Sequence, residues 1–66
     1  MISGRVKSWD DVKGWGFIED EDGFDYFVNI SHVRRGQKLR VGDKVKFDVY
    51  QDQRGPSAEN VNKIVI

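Results

Sequence analysis

Glycines alternating with aromatic residues between Val12 and Ile30 limit what this chain can fold into more than any other feature. In VKGWGFIEDEDGFDYFVNI, Gly14 and Gly16 flank Trp15, and Phe17 follows. Glycine is a poor helix-interior residue, whereas residues two apart share one face of a strand. Trp15, Phe17 and Glu19 therefore point one way and Gly16 and Ile18 the other. The second half alternates in the same manner, with Asp25, Phe27 and Asn29 opposite Tyr26 and Val28. Between the halves, the polar run Glu19 to Gly23 ends in glycine and reads as a hairpin turn. Two antiparallel strands follow, each with apolar matter on both faces.

A small domain needs only one such face for its core. Ile18, Tyr26 and Val28 suffice for that, which leaves Trp15, Phe17 and Phe27 facing water. The competing assignment puts these rings inside and the aliphatic residues in a second cluster. Lys7 and Lys13 favour the outward one, since cations beside exposed rings suit a polyanion whose bases stack.

The remaining segments supply three more strands. Residues 2–9 form the first, with Val6 inward and Lys7 and Trp9 on the opposite parity, extending the aromatic and basic face. Residues 10–14 turn into the second strand, Gly14 serving the turn or admitting a base close to the backbone. After Asn29, residues 31–33 leave the sheet as a turn or single helical turn, and the basic stretch 34–42 reads as a loop. Lys44 to Tyr50 alternates most cleanly, Val45, Phe47 and Val49 against Lys44, Lys46 and Asp48. Residues 51–56 form a loop punctuated by Gly55-Pro56. Residues 58–66 give a fifth strand, in which Ala58, Val61 and Ile64 are three apart and call for a bulge. The expected fold is all-β: a five-stranded antiparallel barrel whose closure removes exposed edges.

Sixty-six residues make one domain, 1–66, with a core close to the minimum adequate size. Without cysteine there is neither disulfide nor thiolate metal site, and no long apolar block suggests a leader or membrane span. A cytoplasmic monomer is expected, with no membrane association. Net charge is zero, so any polyanion surface must come from segregation. Acids gather at 10–11 and 19–22, and bases at Arg34, Arg35, Lys38 and Arg40. Catalytic groups are sparse: one histidine, and serines without a companion base. The run Asp20 to Gly23 looks in part like a calcium loop but lacks its further ligands. No enzyme activity, metal, cofactor or small-molecule substrate is expected.

Two motifs carry a family resemblance. Lys13-Gly14-Trp15-Gly16-Phe17-Ile18-Glu19 resembles the first ribonucleoprotein motif, with Trp and Ile as replacements. Asp25-Tyr26-Phe27-Val28-Asn29-Ile30-Ser31 resembles the second motif of bacterial cold-shock proteins, DVFVHFS. Their order is that of cold-shock proteins, and the resemblance runs from Gly4 to Val61. It implies a five-stranded barrel of the oligonucleotide-binding (OB) type that binds single-stranded RNA or DNA in a sequence-tolerant way, with an RNA-chaperone role. Carried over residue by residue, it implies a nucleic-acid site of Lys7, Trp9, Lys13, Trp15, Phe17, Asp25, Phe27 and Arg54, with Asn29 at a position usually histidine. Asp25 would then bond a base edge; its plainer role is to satisfy turn amides.

Departures are equally specific. Ser8 stands where the family usually has tryptophan, and Ile30 where it has phenylalanine. The loop after Val33 is shortened and lacks its aromatic residue, offering Arg34, Arg35 and Lys38 instead. His32, at a position usually small, is either an exposed turn residue or a substitute for the missing histidine. Two lost stacking positions remove on the order of 2–6 kcal/mol, so binding should lean more on charge than is usual in the family. A different class of function uses the same face: a small barrel that docks a peptide, such as a proline-rich segment.

Overall fold

The computed structural model describes residues 1–64 and consists of β1 (Ile2–Asp10), β2 (Trp15–Asp20), β3 (Asp25–Asn29), a 3₁₀ turn (Ile30–His32), β4 (Lys44–Asp52) and β5 (Gly55–Lys63). The strands close in the order β1-β2-β3-β5-β4, with β4 returning to β1. All pairs are antiparallel except β3 with β5, where Phe27 lies beside Ser57 and Val28 beside Ala58 in parallel. The expected all-antiparallel arrangement is thus corrected at one seam. The reason is arithmetic: strands in a closed ring of odd number cannot all alternate in direction, so at least one pair must run parallel.

Val6, Ile18, Tyr26, Val28, Val33, Leu39, Val45, Phe47, Ala58 and Val61 form the core. The Tyr26 ring meets Phe47 edge-on at 5.1 Å. Leu39 was hidden in the polar loop reading, yet the loop folds it inward almost completely. Val33 makes an isolated parallel bridge to Val61, which ties the loop entrance to β5.

Two bulges decide which residues face out. On β1, Val6 pairs with Ile18 but Ser8 with Phe17, so Lys7 is an extra residue opposite β2. Beyond it the parity reverses: Trp9 pairs with Gly16, shares its inward face and packs against the core. On β5, Glu59 pairs with Asp48 but Asn62 with Lys46. The extra residue lies at Asn60–Val61, with Asn60 at φ 53, a conformation asparagine tolerates. This bulge lets Ala58 and Val61, three apart, both reach the core. The expected end of the strand at residues 65–66 lies outside the described residues.

The β4–β5 connection is tighter than the expected six-residue loop. Asp52 pairs with Gly55 across Gln53 and Arg54, and Gly55 takes φ 106. The β2–β3 turn is organised by one carboxylate. Asp20 accepts from the amides of Asp22 and Phe24, each at 2.9 Å, and from the Tyr26 hydroxyl at 2.7 Å. The Tyr26 hydroxyl, with help from these amides, holds the Asp20 carboxyl below the usual range. Asp43 is likewise lowered, chiefly by its hydrogen bond with Lys63 at 3.1 Å.

Gly16 has no room for a side chain, since a Cβ there would collide with the Ser8 carbonyl oxygen. Gly16→Ala should therefore destabilise the barrel by roughly 2–3 kcal/mol, seen as a melting temperature lower by about 10–20 °C. Asp20 and Asp43, with lowered folded pKa values, contribute stability above their unfolded value of about 3.9, lost as pH falls through the folded one. Urea titrations from pH 5 to pH 2 should show this acid limb, and Asp20→Asn should flatten it.

Candidate nucleic-acid interface

Trp15 and Phe17 on β2 and Phe27 on β3 stand on the outer face as one cluster. Their ring centroids lie 6.1 Å apart for Trp15–Phe17 and 5.9 Å for each of the other two pairs. Register explains the cluster: Phe17 pairs directly with Phe27, and Trp15 with Asn29. Trp15 and Phe17 are each 36% exposed. Phe27 departs from expectation. It faces outward, outside the core cluster, yet is only 8% exposed. Besides its two ring neighbours, the Arg54 guanidinium carbon sits over its ring, 4.4 Å from the centroid. The tight β4–β5 turn places that cation there. Trp15, Phe17, Phe27, Asn29 and Arg54 line a shallow hollow of about 400 Å³.

Trp9 does not extend this face, because the Lys7 bulge turns its ring inward; Ser8 takes the place beside Phe17. The indole instead borders Lys38, Leu39, Arg40 and Val41 at the barrel's end. Its Nε1 is enclosed and meets no hydrogen-bond acceptor among the described residues.

The rim cations are not equivalent. Lys7 donates to both carboxylate oxygens of Asp25, at 3.3 and 3.1 Å, and lies 3.7 Å from Glu19. The Asp25 bond and charge raise the Lys7 ammonium above the ordinary lysine pKa. Lys7 is therefore a paired cation rather than the free rim charge expected, and Asp25 spends its carboxylate on Lys7, not on turn amides. Lys13 is exposed on the β1–β2 turn, where Gly14 takes φ 75. Asn29 caps the 3₁₀ turn, its Oδ1 accepting from the Ser31 amide at 3.0 Å.

The weaker candidates separate into two groups. Ile30 is exposed and packs by the Gly14 turn, donating its amide to the Gly14 carbonyl at 2.8 Å. His32 is half-buried rather than an exposed turn residue, with its ring 5.2 Å from Tyr50. Arg34 reaches Asn62 Oδ1 at 3.4 Å, while Arg35 and Lys38 are exposed. Among the described residues none of these three cations lies in an ion pair. Tyr50 was missed as a surface group. Its parity with Lys44 and Lys46 marked it as outward, but nothing in the sequence paired it with His32.

Residues 2–64 match the family described as the 'Cold-shock' DNA-binding domain. The chain belongs to the cold-shock domain family. It is 45% identical over 65 residues to the cold shock-like protein CspC of Bacillus cereus, covering 96% of this chain and all of that protein. To the cold shock-like protein CspLB of Listeria monocytogenes it is 46% identical over 66 residues, 97% of this chain and all of the relative. The major cold shock protein of Streptococcus pyogenes serotype M1 shares 42% over 66 residues, covering 97% and 98%. The expected family and the five-stranded OB-type barrel are thereby established, as is nucleic-acid binding as the general function. No helix among the described residues is long and apolar enough to cross a membrane.

Arg54→Ala should uncover the Phe27 ring and cost about 0.5–1 kcal/mol for the lost cation–π contact. Urea unfolding should show a lower midpoint at unchanged slope. An unchanged midpoint would mean the guanidinium contributes nothing in that position.

Proposed function

We propose that this cold-shock domain binds single-stranded RNA and DNA with little sequence preference, and that Trp15, Phe17 and Phe27 stack successive bases. The observation that carries the reading is the three-ring cluster on the outer face, with centroids about 6 Å apart. Every base has a π face, so such a surface takes any sequence, at roughly 1–3 kcal/mol per base. Lys13 and Arg54 meet phosphates at its rim, and Arg54 must leave the Phe27 ring, or cover a base stacked in its place. Lys7 steadies Asp25 and Glu19 beside the rings, keeping two carboxylates from repelling the strand. Ile30 flanks the rings at the Gly14 turn, Asn29 lines their hollow, and Arg34, Arg35 and Lys38 add long-range attraction. Trp9 closes the barrel's end and supports the surface from below.

Occupying unpaired strands shifts folded RNA toward its open form through binding free energy alone. That is an RNA-chaperone action, carried out in the cytoplasm by one monomeric domain spanning 1–66, without cofactor, metal or catalysis. The competing peptide-docking function uses the same rings and predicts no response to oligonucleotide.

Oligo-dT should quench tryptophan fluorescence, and added salt should reverse it. Phe17→Ala and Phe27→Ala should each weaken binding about 5- to 150-fold. A strand contacting three or four phosphates gives a log–log salt slope of roughly −2 to −3; a magnitude below about 1 contradicts the reliance on charge. Absence of quenching at high oligonucleotide concentration would favour the peptide module.

A further inference from the structure

We propose that His32 and Tyr50 form a second nucleotide subsite, which receives the bases of a strand that continues past the Phe27 end of the three-ring surface. This deepens the proposed function and rests on it. Register places the subsite. Phe17 pairs with Phe27, Phe27 lies beside Ser57, and Ser57 pairs with Tyr50, so one row crosses β2, β3, β5 and β4 on the outer face. Ser57 is small and fully buried, and its hydroxyl bonds the Gly55 carbonyl at 3.4 Å. Its own short side chain does not rise between Phe27 and Tyr50 in that row.

The two rings make a ledge of defined geometry. Their centroids are 5.2 Å apart at an interplanar angle of 52°, and the Tyr50 hydroxyl and His32 Nε2 share a hydrogen bond of 3.2 Å. Both side chains are half-buried, so each is held in place while keeping part of its surface open to a base. Next to the ledge is a hollow of about 250 Å³ lined by Ser31, His32, Val33, Arg34, Asn60 and Asn62. Arg34 is exposed there, its guanidinium making a long bond to Asn62 Oδ1. A ring pair for the base and a guanidinium for its phosphate thus lie together, beside Asn60 and Asn62, whose side-chain NH2 groups donate to Asp48 and to the Asn60 carbonyl and would have to exchange those bonds to read a base edge.

Spacing favours the same strand over a separate partner. Phe27 and Tyr50 stand two strand separations apart, roughly 10 Å. That is about three nucleotides at the 3.4 Å rise of a stacked strand, and fewer when extended. A tetranucleotide therefore fills the three-ring surface, and a heptanucleotide reaches the ledge.

The test titrates thymidine tetra- and heptanucleotides into the wild-type protein, His32→Ala and Tyr50→Ala, read by tryptophan fluorescence. In the wild type the heptanucleotide should bind tighter than the tetranucleotide. In either variant that advantage should shrink at least about fivefold, the lower end of one stacked base, with tetranucleotide affinity unchanged. An advantage equal in all three proteins overturns the subsite while leaving the three-ring surface intact. If the wild type binds neither oligonucleotide, the proposed function itself falls. Should a variant not fold, wild-type NMR decides: ring signals of His32 and Tyr50 moving with the heptanucleotide alone support the subsite, and signals unmoved by it overturn it.

Discussion

The bulge at Lys7, pressed against the bare backbone of Gly16, separates the aromatic surface from the core. With one residue inserted into β1, Lys7 and Ser8 both lie opposite Phe17, and every later residue of the strand changes face. Trp9 then closes the end of the core, which holds no tryptophan from the second strand. Trp15 stays outside with Phe17 and Phe27 through the unbroken parity of β2 and β3. A side chain at position 16 would collide with the Ser8 carbonyl and lift β1 away from β2. The glycine that made helix improbable in this stretch is the same one that permits the bulge.

Charge around the rings is arranged to cancel rather than accumulate. Lys7 is held between Asp25 and Glu19, and Arg54 lies on Phe27 in place of solvent. A neutral chain can still attract a polyanion, because Arg34, Arg35 and Lys38, which lie in no ion pair among the described residues, fall outside the 19–25 acidic region. Under the proposed function, counterion release at those cations would be non-directional and sequence-blind, whereas the rings would supply contact at fixed spacing. The Arg54 contact would add a local competition to the proposed stacking: a base on Phe27 must gain more than the guanidinium already gains there.

Much of the fold was legible in the residues because it rests on short-range rules. Alternation over Trp15–Glu19, Asp25–Asn29 and Lys44–Val49 assigns faces without any partner strand, and EDEDG announces its turn through polarity and a final glycine. The three-ring grouping follows from the same parity. Leu39 was not legible: a single leucine among Arg, Lys and Gln has no periodicity to report. Trp9 was misplaced because parity counting fails at a bulge, and a bulge is a property of two strands read together. The β5 bulge was legible only because the three-residue spacing of Ala58 and Val61 could not otherwise serve one face.

By itself, then, the amino-acid order determined which strands exist, which rings are spare to the core and which family the chain resembles. Tertiary structure alone decided how those spare groups are used. Barrel closure of an odd strand number imposed the parallel β3–β5 seam, and that seam aligned Phe27, Ser57 and Tyr50 in one row. Side chains remote in sequence were then paired by proximity, Lys7 with Asp25, Arg54 with Phe27 and His32 with Tyr50. No local rule contains those pairings: Lys7 and Asp25 meet through the joint register of β1, β2 and β3, and Arg54 and Phe27 through the β3–β5 seam.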